Sequence, residues 1–286
     1  MAAGSSALRI VGLTGLAMVA FAANSVLGRL GLVDGGIGPG SFAAIRLVSG
    51  AILLCFIAGV RASASEGTWS GAISLLVYAA FFSYAYLELG AGMGALILFA
   101  VVQITMVGAG LVSGERLSFL QWTGLLSAMA GLIWLLSPGL TAPPFEGAVA
   151  MAIAGIGWGA YSLLGRAVSA DPTARTAGNF ARASLVGLVL LPGALMIMGE
   201  PTPATYGITL AIISGAITSG LGYAIWYAAL PGLSAATAGI AQLTVPAIAA
   251  LGGIVFLNEA LTARFGLSTV IILGGVALAT LTRRPG

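Results

Sequence analysis

The chain has no histidine, no lysine and a single cysteine, and charged residues make up only 7% of its 286 positions. Each shortage excludes something. Without histidine there is no H-E-x-x-H zinc helix, and no nucleophile elbow is present either, so a membrane-embedded enzyme is disfavoured. The lone Cys55 cannot form an internal disulfide and is a poor metal site; within its apolar run it reads as a small buried or lipid-facing residue. No metal or cofactor is expected. Because lysine is absent, the net charge of +3 is carried by arginine alone. These arginines are spread singly and form no basic patch, so nucleic acid is not an expected partner. The low charge is the strongest constraint. Soluble domains carry about 25% charged residues, and at 7% a chain of this length cannot cover a water-facing surface. A hydrocarbon-facing surface needs no such cover, and with 59% hydrophobic residues the chain reads as a polytopic protein whose surroundings are the lipid bilayer.

Apolar runs long enough to cross a bilayer, roughly 17–25 residues each, predict ten helices: Ile10–Gly28, Ser41–Val60, Trp69–Leu87, Gly92–Ser113, Phe119–Ser137, Gly147–Gly165, Thr176–Met198, Tyr206–Leu230, Ser234–Leu257 and Phe265–Leu281. Ala20-Phe21-Ala22 resembles a signal-peptidase site, but cleavage there would remove most of a helix that has a counterpart later in the chain. With ten spans both termini share a side. That side holds Arg9, Arg61, Arg116, Arg166, Arg175, Arg283 and Arg284, against Arg29 and Arg264 on the other. The arginine bias predicts cytoplasmic termini.

The counterpart is part of a repeat. The stretch ANSVLGRL from Ala23 returns as AYSLLGRA from Ala160, and further pairs follow in order: Arg46 and Arg182, Tyr84 and Tyr223, Gln103-Ile104-Thr105 and Gln242-Leu243-Thr244, Glu115 and Glu259. The separations stay between 136 and 144 residues. Collinear order across five spans predicts a duplication, with residues 1–140 and 141–286 as its halves. Five is odd, so the second half must cross the membrane in the opposite sense. The expected fold is an all-α membrane protein of ten transmembrane helices, in two inverted five-helix repeats around a central cavity. The halves have diverged: Gln103 to Glu115 is 12 residues, Gln242 to Glu259 is 17, and Pro246 stands where the first half has Val107.

These features resemble the drug/metabolite transporter superfamily of the EamA type. The resemblance rests on a basic residue early in spans two and seven, and on a Glu after spans four and nine followed by a Gly-rich span. The segments GERLSFLQWTGLLSAMAGLIW from Gly114 and NEALTARFGLSTVIILGGVAL from Asn258 are similar to the superfamily's repeated pattern. Within it the chain most resembles the YddG-type exporters of aromatic amino acids. The resemblance implies export of small metabolites through a cavity between the halves; the expected setting is the bacterial inner membrane, with the protein working as a monomer. Export of drugs or other metabolites is the alternative, and a channel is a further one.

Several residues are candidates for the substrate site. Pro246 has no N–H to give the carbonyl four residues earlier, so the Gln242 side chain and its own freed carbonyl are expected to form a polar point in span nine. An interhelical clasp is the competing role. Tyr78 and Trp158 lie inside spans three and six, while Phe99 and Gln103 share a face at i, i+4; aromatic walls with a few polar points suit an apolar substrate. Asn24 is expected to meet either a neighbouring helix or the cavity rim. Arg46 and Arg182 lie about six residues inside their spans, roughly 9 Å deep, and are expected to snorkel to the membrane interface; holding a substrate carboxylate is their other possible role. Tyr84, Tyr86, Trp226 and Tyr227, near span ends, read as an interfacial belt. No acidic residue falls in mid-span, which argues against proton coupling, and with so few intramembrane cations a phosphate-bearing substrate is unexpected.

The orientation is testable by cysteine labelling on a Cys55→Ala background. Cysteines placed at Arg61 and Arg175 should be protected from an impermeant reagent in intact cells and labelled after permeabilisation; labelling from outside would refute cytoplasmic termini.

Overall fold

The computed structural model describes residues 2–114, 116–139, 142–166, 171–197, 199–233 and 241–281. Among them there are helices, turns and bends, and no strand. A low-dielectric surround explains this: without water, backbone N–H and C=O groups must pair within their own segment, and a helix does so. In order the helices are α1 (Ala2–Val33), α2 (Pro39–Ala58), α3 (Val60–Glu66), α4 (Trp69–Ala85), α5 (Ala91–Val112), α6 (Phe119–Leu136), α7 (Phe145–Arg166), α8 (Pro172–Ile197), α9 (Thr205–Ala229), α10 (Val245–Leu257) and α11 (Ala263–Leu281).

Local sequence sets the helix ends. Thr68 caps α4 by accepting a hydrogen bond from the Gly71 N–H at 3.2 Å. Ser118 and Gln121 form a reciprocal capping box at the start of α6, with bonds of 2.8 and 3.3 Å, a pairing that satisfies two orphan donors. Pro39 sits in the first turn of α2, where no N–H is needed. Gly59, at φ 86°, separates α2 from α3, and α3 meets α4 at a 97° bend.

Of the ten predicted spans, six correspond to helices that are long and apolar enough alone to cross a membrane: α1, α2, α5, α6, α7 and α9. A seventh is reached if α3 and α4 form one bent span. By itself α4 has 17 residues, α10 has 13, and the 26-residue α8 carries Arg175 and Arg182. Span nine differs from expectation. Its predicted start at Ser234 lies outside the described residues, and so does Met198, the predicted end of span seven. Where span nine is described, the chain turns at Leu243–Thr244 and a new helix begins at Val245. Pro246, expected to free a carbonyl inside a continuous helix, therefore sits in the first turn of α10, where its missing N–H costs nothing.

Packing follows residue size. α2 lies on α8, α4 on α7 and α6 on α11, while α5 packs against α7 and α10, and α1 against α9 and α10. Phe42, Leu75, Phe82, Leu96 and Ile97 are fully buried between them, and Phe56, Val112, Phe119, Val189 and Phe256 project outward, as lipid-facing side chains do. Close approach needs glycine at a few points. At Gly157 of α7 an added methyl group would lie 2.9 Å from the Tyr78 backbone nitrogen of α4, and at Gly215 of α9 it would collide with the Arg46 carbonyl and the Ser49 hydroxyl of α2.

Gly215→Ala should therefore destabilise the protein by about 1–3 kcal/mol through overpacking, despite alanine's better helix propensity. Gly108→Ala, where an added methyl group meets nothing within 4 Å, should be neutral or stabilising. Melting temperatures of the two purified variants in detergent check the contrast.

Candidate functional site

The site is built around Arg46. Only 1% of this residue is exposed, because α2 is enclosed by α4, α8 and α9. Its Nε donates to Ser219 Oγ at 3.1 Å and one terminal nitrogen, Nη2, donates to Tyr78 Oη at 3.0 Å. The guanidinium carbon lies 4.6 Å from the Phe82 ring centroid and 5.0 Å from that of Tyr78; the negative ring faces attract a cation. The remaining nitrogen, Nη1, is buried without a hydrogen-bond partner among the described residues. No carboxylate joins the group: the ion pair present among the described residues is Arg29–Glu259, at 3.8 Å.

Ser219 links Arg46 to Asn24 of α1. Asn24 Nδ2 donates to Ser219 Oγ at 3.1 Å, and Asn24 Oδ1 accepts from Ser214 at 2.8 Å and from Thr218. Asn24, Ser214, Thr218 and Ser219 are all buried. Three hydroxyls reach one amide because Ile213–Leu221 of α9 is wound as a π-helix. Its i→i+5 bonding brings residues four and five apart onto one face, whereas in an α-helix Ser219 would turn away from Ser214.

Beside this polar strip is an aromatic cluster centred on Trp158 of α7. Trp158 lies 5.0 Å from Tyr78, 4.9 Å from Tyr223, 5.6 Å from Tyr161 and 6.3 Å from Phe21, centroid to centroid. A cavity opens between cluster and strip, walled by Phe21, Asn24 and Ser25 of α1, Tyr78 and Phe82 of α4, Leu98 and Phe99 of α5, Trp158 of α7 and Tyr223 of α9. It measures about 10 Å³, near the minimum that one water molecule needs, so in this conformation the rings largely fill it. A second cavity, about 20 Å³, lies between Tyr161, Arg175, Asn179 and Tyr227.

Carboxylates gather at the end of the bundle where α1 and α4 finish and α2, α5 and α7 begin. Glu259 accepts from the Ala91 N–H of α5 and pairs with Arg29, which also donates to the Tyr86 and Leu87 carbonyls at 3.0 and 2.7 Å. Glu200 accepts from the Gly40 and Ser41 N–H groups of α2 at 2.6 and 3.1 Å, and Glu88 accepts from the Gly147 N–H of α7 at 3.2 Å. Each carboxylate meets the positive end of a helix dipole, and each bond joins one half of the sequence to the other.

Four residues expected from the sequence, Asn24, Tyr78, Phe99 and Trp158, share the central cavity wall. Gln103 and Gln242 are half-buried and are not part of it. The expectation that Arg46 anchors at the membrane interface is overturned: hydroxyls and rings hold it inside, and its side chain does not reach the surface. Arg182, paired with it in the sequence pattern, does lie near an end, donating to the Ala64 carbonyl at 2.9 Å. Tyr86 and Trp226, expected in an interfacial belt, are buried. Sequence reasoning missed Phe21, Ser25, Phe82, Leu98 and Tyr223 in the wall, and Ser214, Thr218 and Ser219 behind it. Phe82 was available as the residue one turn after Tyr78; the hydroxyls had no such signal, because the π winding that aligns them leaves no mark such as a proline.

A model of the EamA-like transporter family matches residues 9–137 and, a second time, residues 145–281. The chain is 48% identical over 274 residues to the uncharacterized protein PA1977 of Pseudomonas aeruginosa, covering 95% of this chain and 94% of that one. A protein known from its crystal structure has a similar fold, with a TM-score of 0.65 over 96% of this chain and 98% of the other, at 19% identity.

The Asn24 network yields a stability prediction. Asn24→Ala leaves the buried Ser214 hydroxyl without its partner and takes one partner each from Thr218, which keeps the Ser214 carbonyl, and Ser219, which keeps Arg46; one unsatisfied buried group costs about 1–3 kcal/mol. Its melting temperature should fall well below that of Ser65→Ala, whose exposed hydroxyl bonds only to the nearby Ala62 carbonyl.

Proposed function

The chain belongs to the EamA-like transporter family, and from that premise we propose that it exports amino acids with aromatic or other apolar side chains across the bacterial inner membrane, by alternating access and as a monomer. The observation that carries this reading is the aromatic cavity around Trp158, walled by α1, α4 and α5 from the first half of the sequence and by α7 and α9 from the second. A small site between two halves is where a rocking motion changes access from one side to the other. Asn24, Tyr78, Phe99 and Trp158 are the residues we assign to substrate; Gln103 and Gln242 would meet it only in a conformation with the halves further apart.

The inverted arrangement has support from packing. If the ten segments are numbered along the chain, the neighbours of the first five match those of the second five after exchange: α4 on α7 corresponds to α1 on α9, and α5 on α7 to α1 on α10. The double match to one family model agrees with a duplication at residues 1–140 and 141–286. On this arrangement, with the termini cytoplasmic, the carboxylate-rich end faces outward. Its cross-half bonds close that side, and the substrate reaches the cavity from the cytoplasm. Glu88, Glu200 and Glu259 are engaged at helix ends, so no described acid is placed to carry a proton through the middle, and we propose movement down the substrate's own gradient.

Purified protein in liposomes tests this reading. Labelled phenylalanine should show saturable counterflow that persists when the pH gradient is collapsed; a linear flux or one abolished by collapse would refute it. Trp158→Ala should shift preference from aromatic toward smaller apolar amino acids by about 10-fold or more, the scale of one or two kcal/mol of lost contact.

A further inference from the structure

A positive charge buried in hydrocarbon without a negative partner is costly, and Arg46 is in that condition. Its neighbours are neutral: the Ser219 hydroxyl, the Tyr78 and Tyr223 hydroxyls and the faces of Tyr78 and Phe82. The carboxylates at the bundle end, Glu88, Glu200 and Glu259, are engaged with helix N-termini, and no described carboxylate lies within ion-pair distance of the guanidinium. One nitrogen, Nη1, has no partner among the described residues. Both rings that flank the charge, Tyr78 and Phe82, belong to the wall of the central cavity, so a ligand that parts them meets the guanidinium directly.

We propose that Arg46 is the anchor for a carboxylate on the transported molecule, and that the amino group of an amino acid is dispensable for recognition. This rests on reading the central cavity as the substrate site. Nη1 offers an unused N–H, and Tyr78, which accepts from Nη2 at 3.0 Å, has its own O–H, which faces the Tyr223 hydroxyl in this conformation and which a carboxylate, the stronger acceptor, would take over. Together they present two donors to one carboxylate, and a guanidinium is the side chain best shaped for that group. An ammonium group finds nothing comparable. The cavity wall contains no acid, and Asn24 Oδ1, its amide acceptor, is already taken by Ser214 and Thr218. Arg46 would repel a second cation. The chemical class is therefore a monocarboxylate with an aromatic or apolar body, with or without an amino group, and organic cations are excluded.

The experiment compares competitors of labelled phenylalanine counterflow in liposomes. 3-Phenylpropionate keeps the carboxylate and lacks the amine; phenethylamine keeps the amine and lacks the carboxylate. Phenylpropionate should compete within about threefold of unlabelled phenylalanine, and phenethylamine should need at least about 30-fold more, as expected for loss of a charge-assisted bond. In Arg46→Gln, with folding verified by melting temperature and gel filtration, the KM for phenylalanine should rise about 10–100-fold and the difference between the two competitors should collapse. Arg46→Lys should recover part of both. Equal competition on the wild type, or an Arg46→Gln protein that keeps the wild-type KM and ranking, overturns the proposal while leaving amino-acid export intact. Thermal stabilisation of the wild type by phenylpropionate but not by phenethylamine, without phenylalanine transport, supports the carboxylate site and refutes the amino-acid reading. Should Arg46→Gln fail to fold, the competitor ranking on the wild type decides alone.

Discussion

A guanidinium sealed among helices with no acid beside it governs the centre of this protein. Burying an ion exposes it to a low dielectric, and the surroundings must replace the water it has lost. Here they do so with hydroxyls and rings. Ser219 and Tyr78 take two of the donors, and the faces of Tyr78 and Phe82 cover the charge. Those partners come from α4 and α9, on either side of α2, and Ser219 passes the constraint on to Asn24 of α1. Four helices are thereby set relative to one another by one residue.

The π-wound segment of α9 belongs to the same constraint. Widening the helix over Ile213–Leu221 gives up ideal backbone geometry, and in return Ser214, Thr218 and Ser219 point one way. Gly215 lies within that segment and lets α9 close on the Arg46 backbone. The polar strip and the tight contact are thus two consequences of one local departure from α-helical winding. Trp158 and its neighbours then supply the apolar side of the cavity, so that charge, hydroxyls and aromatic faces meet across a space of about 10 Å³.

The end with Glu88, Glu200 and Glu259 is organised differently. There the charges are carboxylates, each set against the N-terminus of a helix from the other half of the sequence. Unlike Arg46, groups here stay partly exposed: the Arg29 and Glu259 side chains are 23% and 22% accessible.

Much of this was legible along the chain. Scarcity of charge required a lipid-embedded, helical protein, since neither a wet surface nor an unpaired backbone was available to it. Apolar length located α1, α2, α5, α6, α7 and α9, and the recurring Ser-x-Leu-Gly-Arg and Gln-x-Thr signals anticipated the two matches to one family model. Aromatic type and mid-span position were enough to nominate Tyr78, Phe99 and Trp158, because a large ring deep in a span has few places to go other than a core or a cavity. Depth along a helix, however, does not say which way a side chain faces. Arg46 and Arg182 occupy equivalent positions in sequence, yet one is enclosed and the other reaches a carbonyl near an end, because rotation about the helix axis is set by neighbouring helices. The same reason hid Ser214, Thr218, Ser219 and Tyr223, and placed Pro246 at the head of a helix instead of inside one. Composition and periodicity determined that the chain spans a membrane as helices; the tertiary structure alone decided which polar groups meet, since burial and pairing are properties of the contacts between helices and not of any single one.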